Sequence, residues 1–163
     1  MSLIYPTEQH YLQVKSWFSS RQEIYTWGGP KMTYPMSDEI FLKSLTEKPF
    51  KSFCLLNDEQ QLVAFGQYYH RLEHHHLGRL AVNPKYRGQG LAKILITNIL
   101  EQAFLEQLAK GASLFVFRDN VVAYDCYQSL GFIETKYPKE PFPGNMQNCA
   151  YMVLSAKKGQ ASI

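Results

Sequence analysis

A mixed α/β domain on one sheet is what this sequence predicts, and three observations carry the prediction. Residues 77–92 read as a strand, a glycine turn at Arg87-Gly-Gln-Gly-Leu-Ala92 and the start of a long helical pattern. Residues 113–132 have the same layout. A strand-like run, Ser113-Leu-Phe-Val-Phe117, precedes a helix that Asn120 can cap and Gly131 can stop. Earlier, residues 52–56 and 61–69 are apolar runs joined by the polar turn Asn57-Asp-Glu-Gln60. Strands paired through a turn and strands alternating with helices belong to a mixed sheet with helices packed on it.

In chain order, residues 3–5 read as a short strand, and Thr7 can cap a helix running through Trp17-Phe18. Residues 19–36 read as irregular, because Trp27-Gly-Gly-Pro30 and Tyr34-Pro35 interrupt any periodic pattern. Ser37-Asp-Glu opens a second helix through Leu45, with Ile40, Phe41 and Leu45 apolar. Residues 52–56, 61–69 and 73–82 read as three strands. The helix over residues 91–110 repeats Leu91, Leu95, Ile99 and Ala103 at i, i+4 spacing, with Ala92, Ile96 and Leu100 beside them, and Gly111 ends it. Residues 132–137 and 148–155 read as the last strands, across a Pro-rich loop at 138–144. The expected order is β-α-α-β-β-β-α-β-α-β-β, one domain over residues 1–156 with a frayed tail at 157–163.

The composition excludes several classes. At 163 residues the chain suits one domain with a core of its own. A net charge of +3 is too small to imply nucleic acid, and it suits a polyanionic small ligand. No apolar run approaches the length of a membrane span, and Met-Ser-Leu-Ile-Tyr-Pro lacks a signal-peptide pattern. Cys54, Cys126 and Cys149 are odd in number and widely spaced, so neither a disulfide framework nor a metal set is expected. A reducing, cytoplasmic location is the expectation. Aromatic residues reach 14%, enough for an aromatic core or an aromatic-lined cleft.

Strand, glycine turn and helix N-terminus in that order make an anion site. Unpaired N–H groups converge there, the helix dipole adds positive potential, and glycine lets a phosphate approach the backbone. Arg87 adds a charged donor fork. A Walker loop is absent, and a dinucleotide fingerprint fails at Lys93, where a third small residue belongs.

What remains, Arg-x-x-Gly-x-Ala over residues 87–92, resembles the coenzyme-binding motif of the GNAT family of N-acetyltransferases, [RQ]-x-x-G-x-[GA]. Downstream, Asn120, Ala123, Tyr127, Gly131 and Phe132 match that family's N-x-x-A-x-x-[LC]-Y-x-x-x-G-F segment at its spacing. The joint match is far more specific than either half. The resemblance implies a GNAT-like acyl-CoA N-acyltransferase fold and an enzyme that moves an acetyl group from acetyl-CoA to a primary amine of a small molecule or protein by direct attack. It implies that Arg87, Gly88, Gln89, Gly90, Leu91 and Ala92 cradle the coenzyme's pyrophosphate. Leu80, Ala81 and Val82 would pair with it like an added strand, and the Asn120 amide would meet the pantetheine arm. Other readings are a non-catalytic acyl-CoA sensor and an RNA-directed acetyltransferase toxin, though nucleic acid is not an expected partner. A homodimer is compatible with all of them.

The chemistry sets its own needs. An amine with pKa about 8 to 10 must lose a proton before it attacks, and the departing thiolate benefits from an acid. Tyr127 matches the family tyrosine that donates to the coenzyme sulfur. The base is expected at His76, eleven residues before Arg87, where several family members carry a carboxylate. Strand alternation puts His74 on the face of His76, with Glu73 and His75 on the other. Cys126 reads as a core cysteine, since no partner to activate its thiol is evident. In this family the acceptor is set by the regions matching residues 21–36 and 137–147. Tyr25, Trp27, Tyr34, Tyr137 and Phe142 are therefore expected to wall it, with Glu23, Glu134 and Glu140 as the available carboxylates.

Overall fold

The structure, a computed structural model, describes residues 1–139, 142 and 148–157. Glu140, most of the 138–147 loop and the tail after residue 157 lie outside the described residues, and with them the expectations placed there. The strands are β1 (Ser2–Ile4), β2 (Lys51–Leu56), β3 (Leu62–Arg71), β4 (His74–Val82), β5 (Gly111–Phe117), β6 (Ile133–Glu134) and β7 (Cys149–Ser155). They form one sheet in the order β1-β2-β3-β4-β5-β7-β6. The β4–β5 pair is parallel and the others are antiparallel. The mixed α/β expectation therefore holds.

Both faces of the sheet are covered. Along β2, Phe53 and Leu55 join a core with Leu95, Ile96 and Ile99 of helix α4 (Leu91–Glu106). Cys54 and Leu56 point the other way, into a core with Val14 of α1 (Glu8–Lys15) and with Phe41 and Leu45 of α3 (Asp38–Thr46). Alternation along an extended chain sends successive side chains to opposite faces, so one strand feeds two cores. Each fully buried Leu, Ile or Phe there contributes about 1.5–3 kcal/mol. No helix among the described residues is long and apolar enough to cross a membrane.

Local chemistry explains the helix ends. Gly131 takes φ +95°; its N–H donates to Gln128 and the Phe132 N–H to Tyr127, the paired closure of a Schellman motif. That helix is α5 (Val121–Ser129). The structure corrects several expectations. Residues 19–36 are not irregular throughout: α2 (Arg21–Gly28) forms because the Ser20 hydroxyl accepts from the Glu23 N–H, the Glu23 carboxylate accepts from the Ser19 N–H, and Ile24 is buried. The breakers stop this helix at Gly28-Gly29 rather than prevent it, so the observed order has three helices before β2.

Helix α4 ends at Glu106, and Gly111 opens β5 instead of stopping the helix. A Cβ at Gly111 would stand 2.0 Å from the Leu154 carbonyl oxygen, so close strand approach sets this glycine. Strand β4 begins at His74; Leu72 and Glu73, both at positive φ, form the two-residue turn from β3. Asn120 precedes α5, yet its side chain makes no capping hydrogen bond.

Candidate active site

Strands β4 and β5 separate halfway along. They pair from His74↔Gly111 to Leu77↔Leu114 and no further. Beyond that point β4 continues against β3 alone and β5 against β7 alone. The cause lies in β4. Phe65 of β3 opposes Ala81 and Gln67 opposes Gly78, so β4 carries one extra residue, and Arg79 sits there at φ +51°. A bulge of this kind bends the strand and raises its twist. Gly66, opposite the bulge, leaves room for Leu80, whose side chain would stand 2.7 Å from a Cβ there.

The parted strands open a cleft of about 830 Å³. Its walls include Leu80, Ala81 and Val82 of β4, with Arg87, Asn120 and Tyr127. His76 and Arg79 line it too, as do Phe115 and Phe117 of β5 and Trp17, Phe18 and Trp27 from the helical side.

At one end of the cleft stands the glycine turn. Gly88 and Gly90 take φ +78° and +72°, and Gly90 caps α4 with no side chain to bond the first-turn amides. Gly88, Gln89, Gly90, Leu91 and Ala92 do not line the cleft; they form the rim at the helix N-terminus. Their amides donate to no group among the described residues. Open N–H groups and the dipole of a 16-residue helix converge there, as the sequence led us to expect. Arg87 joins this rim to the cleft. The Glu23 carboxylate is near enough to feel its charge, and hydrogen bonds from Ser19 hold Glu23 below the usual carboxylate range.

Tyr127 reaches the cleft from α5. Its ring packs 6.2 Å from that of Phe132, and its hydroxyl has no hydrogen-bond partner among the described residues. Burial raises its pKa far above neutral, so the phenol is a proton donor throughout the physiological range. Asn120 also lines the cleft. Because its amide is not used as a cap, it is available to a ligand. Cys126 is not in the wall, and burial raises its pKa. Cys149 is in the wall, but burial pushes its thiol up to about 11. Neither is a thiolate at neutral pH.

The histidine run divides between faces as alternation requires. His75 packs 4.7 Å from Phe104, and its Nε2 donates to the Gln107 carbonyl. His76 takes the opposite face, with its Nδ1 2.8 Å from Ser113 Oγ and its ring 4.7 Å from Phe115 and 5.3 Å from Tyr69. His74 does not line the cleft; its Nδ1 donates to the Leu72 carbonyl. Burial first, and then the Arg71 charge, push His76 down to about pKa 3. A group so weakly basic is neutral at physiological pH, able to accept a hydrogen bond without holding a charge. Among the described residues no three His, Cys, Asp or Glu side chains are grouped as metal ligands.

That low pKa has a stability consequence. Unfolded, His76 takes a proton near pH 6.5; folded, it does so near 3. Between those values the unfolded state binds the extra proton, so stability falls as pH falls, by up to about 1.4 kcal/mol per pH unit. Urea unfolding at pH 7 and pH 5 checks this, and His76→Phe should flatten the slope. His75, whose pKa burial also lowers, supplies the slope that remains.

The aromatic wall differs from expectation. Of the five expected residues only Trp27 lines the cleft. Tyr25 stacks 5.6 Å from Phe117, Tyr34 is exposed, and Tyr137 and Phe142 stand 5.6 and 5.0 Å behind Phe115. Glu134 pairs with Arg118 and Tyr124 and does not line the cleft. Sequence reasoning missed Tyr69, Arg79, Ser113 and Phe115. For Tyr69, Ser113 and Phe115 the signal existed, as cross-strand neighbours of His76; for Arg79 the bulge hid it.

Comparison with known proteins agrees with this geometry. The acetyltransferase (GNAT) family pattern matches residues 13–132. A [ribosomal protein bS18]-alanine N-acetyltransferase from Haemophilus ducreyi is 31% identical over 103 residues, covering 60% of this chain and 68% of that protein. Among solved structures, the ribosomal-protein-S18-alanine N-acetyltransferase from Escherichia coli superposes with TM-score 0.68 at 18% identity, over 99% of this chain and 95% of that one. The spermidine N-acetyltransferase from Vibrio cholerae, solved with CoA and spermine, reaches TM-score 0.72 at 18% identity, over 94% of each chain.

Proposed function

The chain belongs to the acetyltransferase (GNAT) family and is an acetyl-CoA-dependent enzyme of that class, and on that premise we propose that it transfers the acetyl group to a primary amine by direct attack, with both substrates held together in the β4–β5 cleft. The observation that carries this reading is the gap itself. Two strand edges with unspent backbone groups face each other, a glycine turn with open N–H groups stands at one end, and a phenol without a partner among the described residues stands in the wall. Acetyl-CoA supplies a thioester there. The amides of residues 88–92 and Arg87 hold its phosphates, the β4 backbone at Leu80, Ala81 and Val82 pairs with the pantetheine arm, and the Asn120 amide meets the same arm.

Tyr127 donates its proton to the departing sulfur. The two deeply protonated thiols, Cys126 and Cys149, leave a covalent acetyl-enzyme without a nucleophile, which favours direct transfer. His76 accepts a hydrogen bond through Nε2 from the amine or a water beside it, and the proton continues to solvent. With no ionisation of His76 between pH 6 and 9, the rate loss in His76→Ala is expected to be uniform across that range. A loss that grows at low pH would instead mark His76 as the proton store.

The test of the whole reading is thiol release from acetyl-CoA with a panel of amines. Acetyl-CoA binding with no thiol release from any acceptor would leave a coenzyme-binding protein and no transferase.

A further inference from the structure

Arg79 puts a cation in the cleft wall, and it makes no ion pair among the described residues. Arg79 enters from the bulge. Its Nη1 donates to the Ser44 carbonyl at 2.7 Å and to Gln67 Oε1 at 3.0 Å, and the guanidinium lies 4.8 Å over the Phe50 ring. Those contacts fix one edge of the group. The other edge, Nη2 and Nε, has no partner among the described residues, and Arg79 is in the cleft wall. Arg71 lies outside the cleft wall and is spent on phenols. It donates to the hydroxyls of Tyr69 and Tyr137 and lies over the Phe115 and Tyr137 rings. Tyr69 lines the cleft and accepts from Arg71, so its own O–H is polarised toward any acceptor in the cleft.

Two carboxylates also line the cleft, Glu23 toward Arg87 and Asp119 beside Asn120, and neither makes an ion pair with Arg79 among the described residues. Glu47 is felt by Arg79 but makes no ion pair with it. Burial lowers the Arg79 pKa, so the cation lacks hydration that an anionic ligand would replace.

We propose that the acceptor is an amine that carries a carboxylate close to its reacting nitrogen, of the free amino acid class, with the carboxylate taken by the open edge of Arg79 and the Tyr69 hydroxyl. A guanidinium edge matches a carboxylate with two parallel N–H donors. Polycationic amines meet the Arg79 charge here, and like charge disfavours them. The inference rests on the acetyltransferase reading and refines its acceptor.

The experiment compares thiol release, at saturating acetyl-CoA, for free amino acids, the matching amino-acid amides, an N-terminal peptide, spermidine and phosphoethanolamine. The expected result is a kcat/KM for some amino acid roughly 10- to 100-fold above that of its amide, the span of one charge-assisted hydrogen-bonded contact. Arg79→Gln should bring that ratio to within a few-fold while acetyl-CoA affinity, measured by calorimetry, stays at the parent value. That binding also shows that the variant is folded. Preference for spermidine, for the peptide or for the amides overturns the proposal, and preference for phosphoethanolamine replaces the carboxylate by a phosphate. A parallel loss of acetyl-CoA affinity in Arg79→Gln makes Arg79 a coenzyme ligand and overturns it as well. Absence of thiol release with every acceptor removes the transferase reading itself, an outcome distinct from all of these.

Discussion

Tyr127→Phe is expected to lower turnover by about 10²- to 10⁴-fold, the usual contribution of a positioned general acid. Acetyl-CoA affinity should change little. The hydroxyl matters mainly as charge builds on the leaving sulfur, and an interaction made only then acts on kcat rather than on binding. Stability should also hold, because the ring keeps its packing on Phe132 and the hydroxyl gives up no bond to any described residue. Steady-state rates and a thermal melt on this one variant decide the matter. A core tyrosine would show a lowered melting temperature and near-normal turnover per folded molecule. Normal turnover would leave water as the donor to sulfur.

The second large effect is expected at the turn. In Gly90→Val, binding of acetyl-CoA should weaken by about 100-fold or more, since several charge-assisted N–H contacts are lost together. A Cβ at Gly90 meets no protein atom within 4 Å, so the added bulk projects into open space at the turn, where the proposal puts the phosphates. The φ of +72° strains any β-branched residue, by about 1–3 kcal/mol, and the variant should melt earlier for that reason alone. Gly90→Ala keeps most of the strain with less bulk and should bind between parent and Gly90→Val. Calorimetry on folded protein is the check. Parental affinity in Gly90→Val would dismiss the phosphate-binding role of the turn.

Both predictions come from residues that could be read before the fold was known, and the reason is locality. Gly90 and Gly131 act within one turn of their own helices, where the left-handed backbone needed next to a helix end favours glycine. Tyr127 lies in the helix between Asn120 and Gly131, so its spacing from both is set along the chain. Where local signals conflicted, the reading erred. Trp27-Gly-Gly-Pro30 reads as a breaker for the whole of residues 19–36, while Ser20 and Glu23 start α2 ahead of it. Asn120 read as a cap from residue type, while its side chain is left open to the cleft.

By itself, then, the sequence determined the mixed α/β class, the glycine turn that opens α4 at residues 87–92, the α4 stripe that packs on the sheet, and the pairing of Asn120 with Tyr127 near one helix. Each depends on contacts within a few residues or on a period of 2 or 3.6. The tertiary structure alone decided the rest. The bulge at Arg79 depends on the register between β3 and β4, and no local pattern predicts a non-glycine residue at positive φ. That bulge parts β4 from β5, opens the cleft and turns Arg79 into its wall. The chemistry of His76 was decided in the same way: Ser113, Phe115 and Arg71 surround it from other strands or strand ends, and their burial of the ring, more than its residue type, makes it neutral and weakly basic.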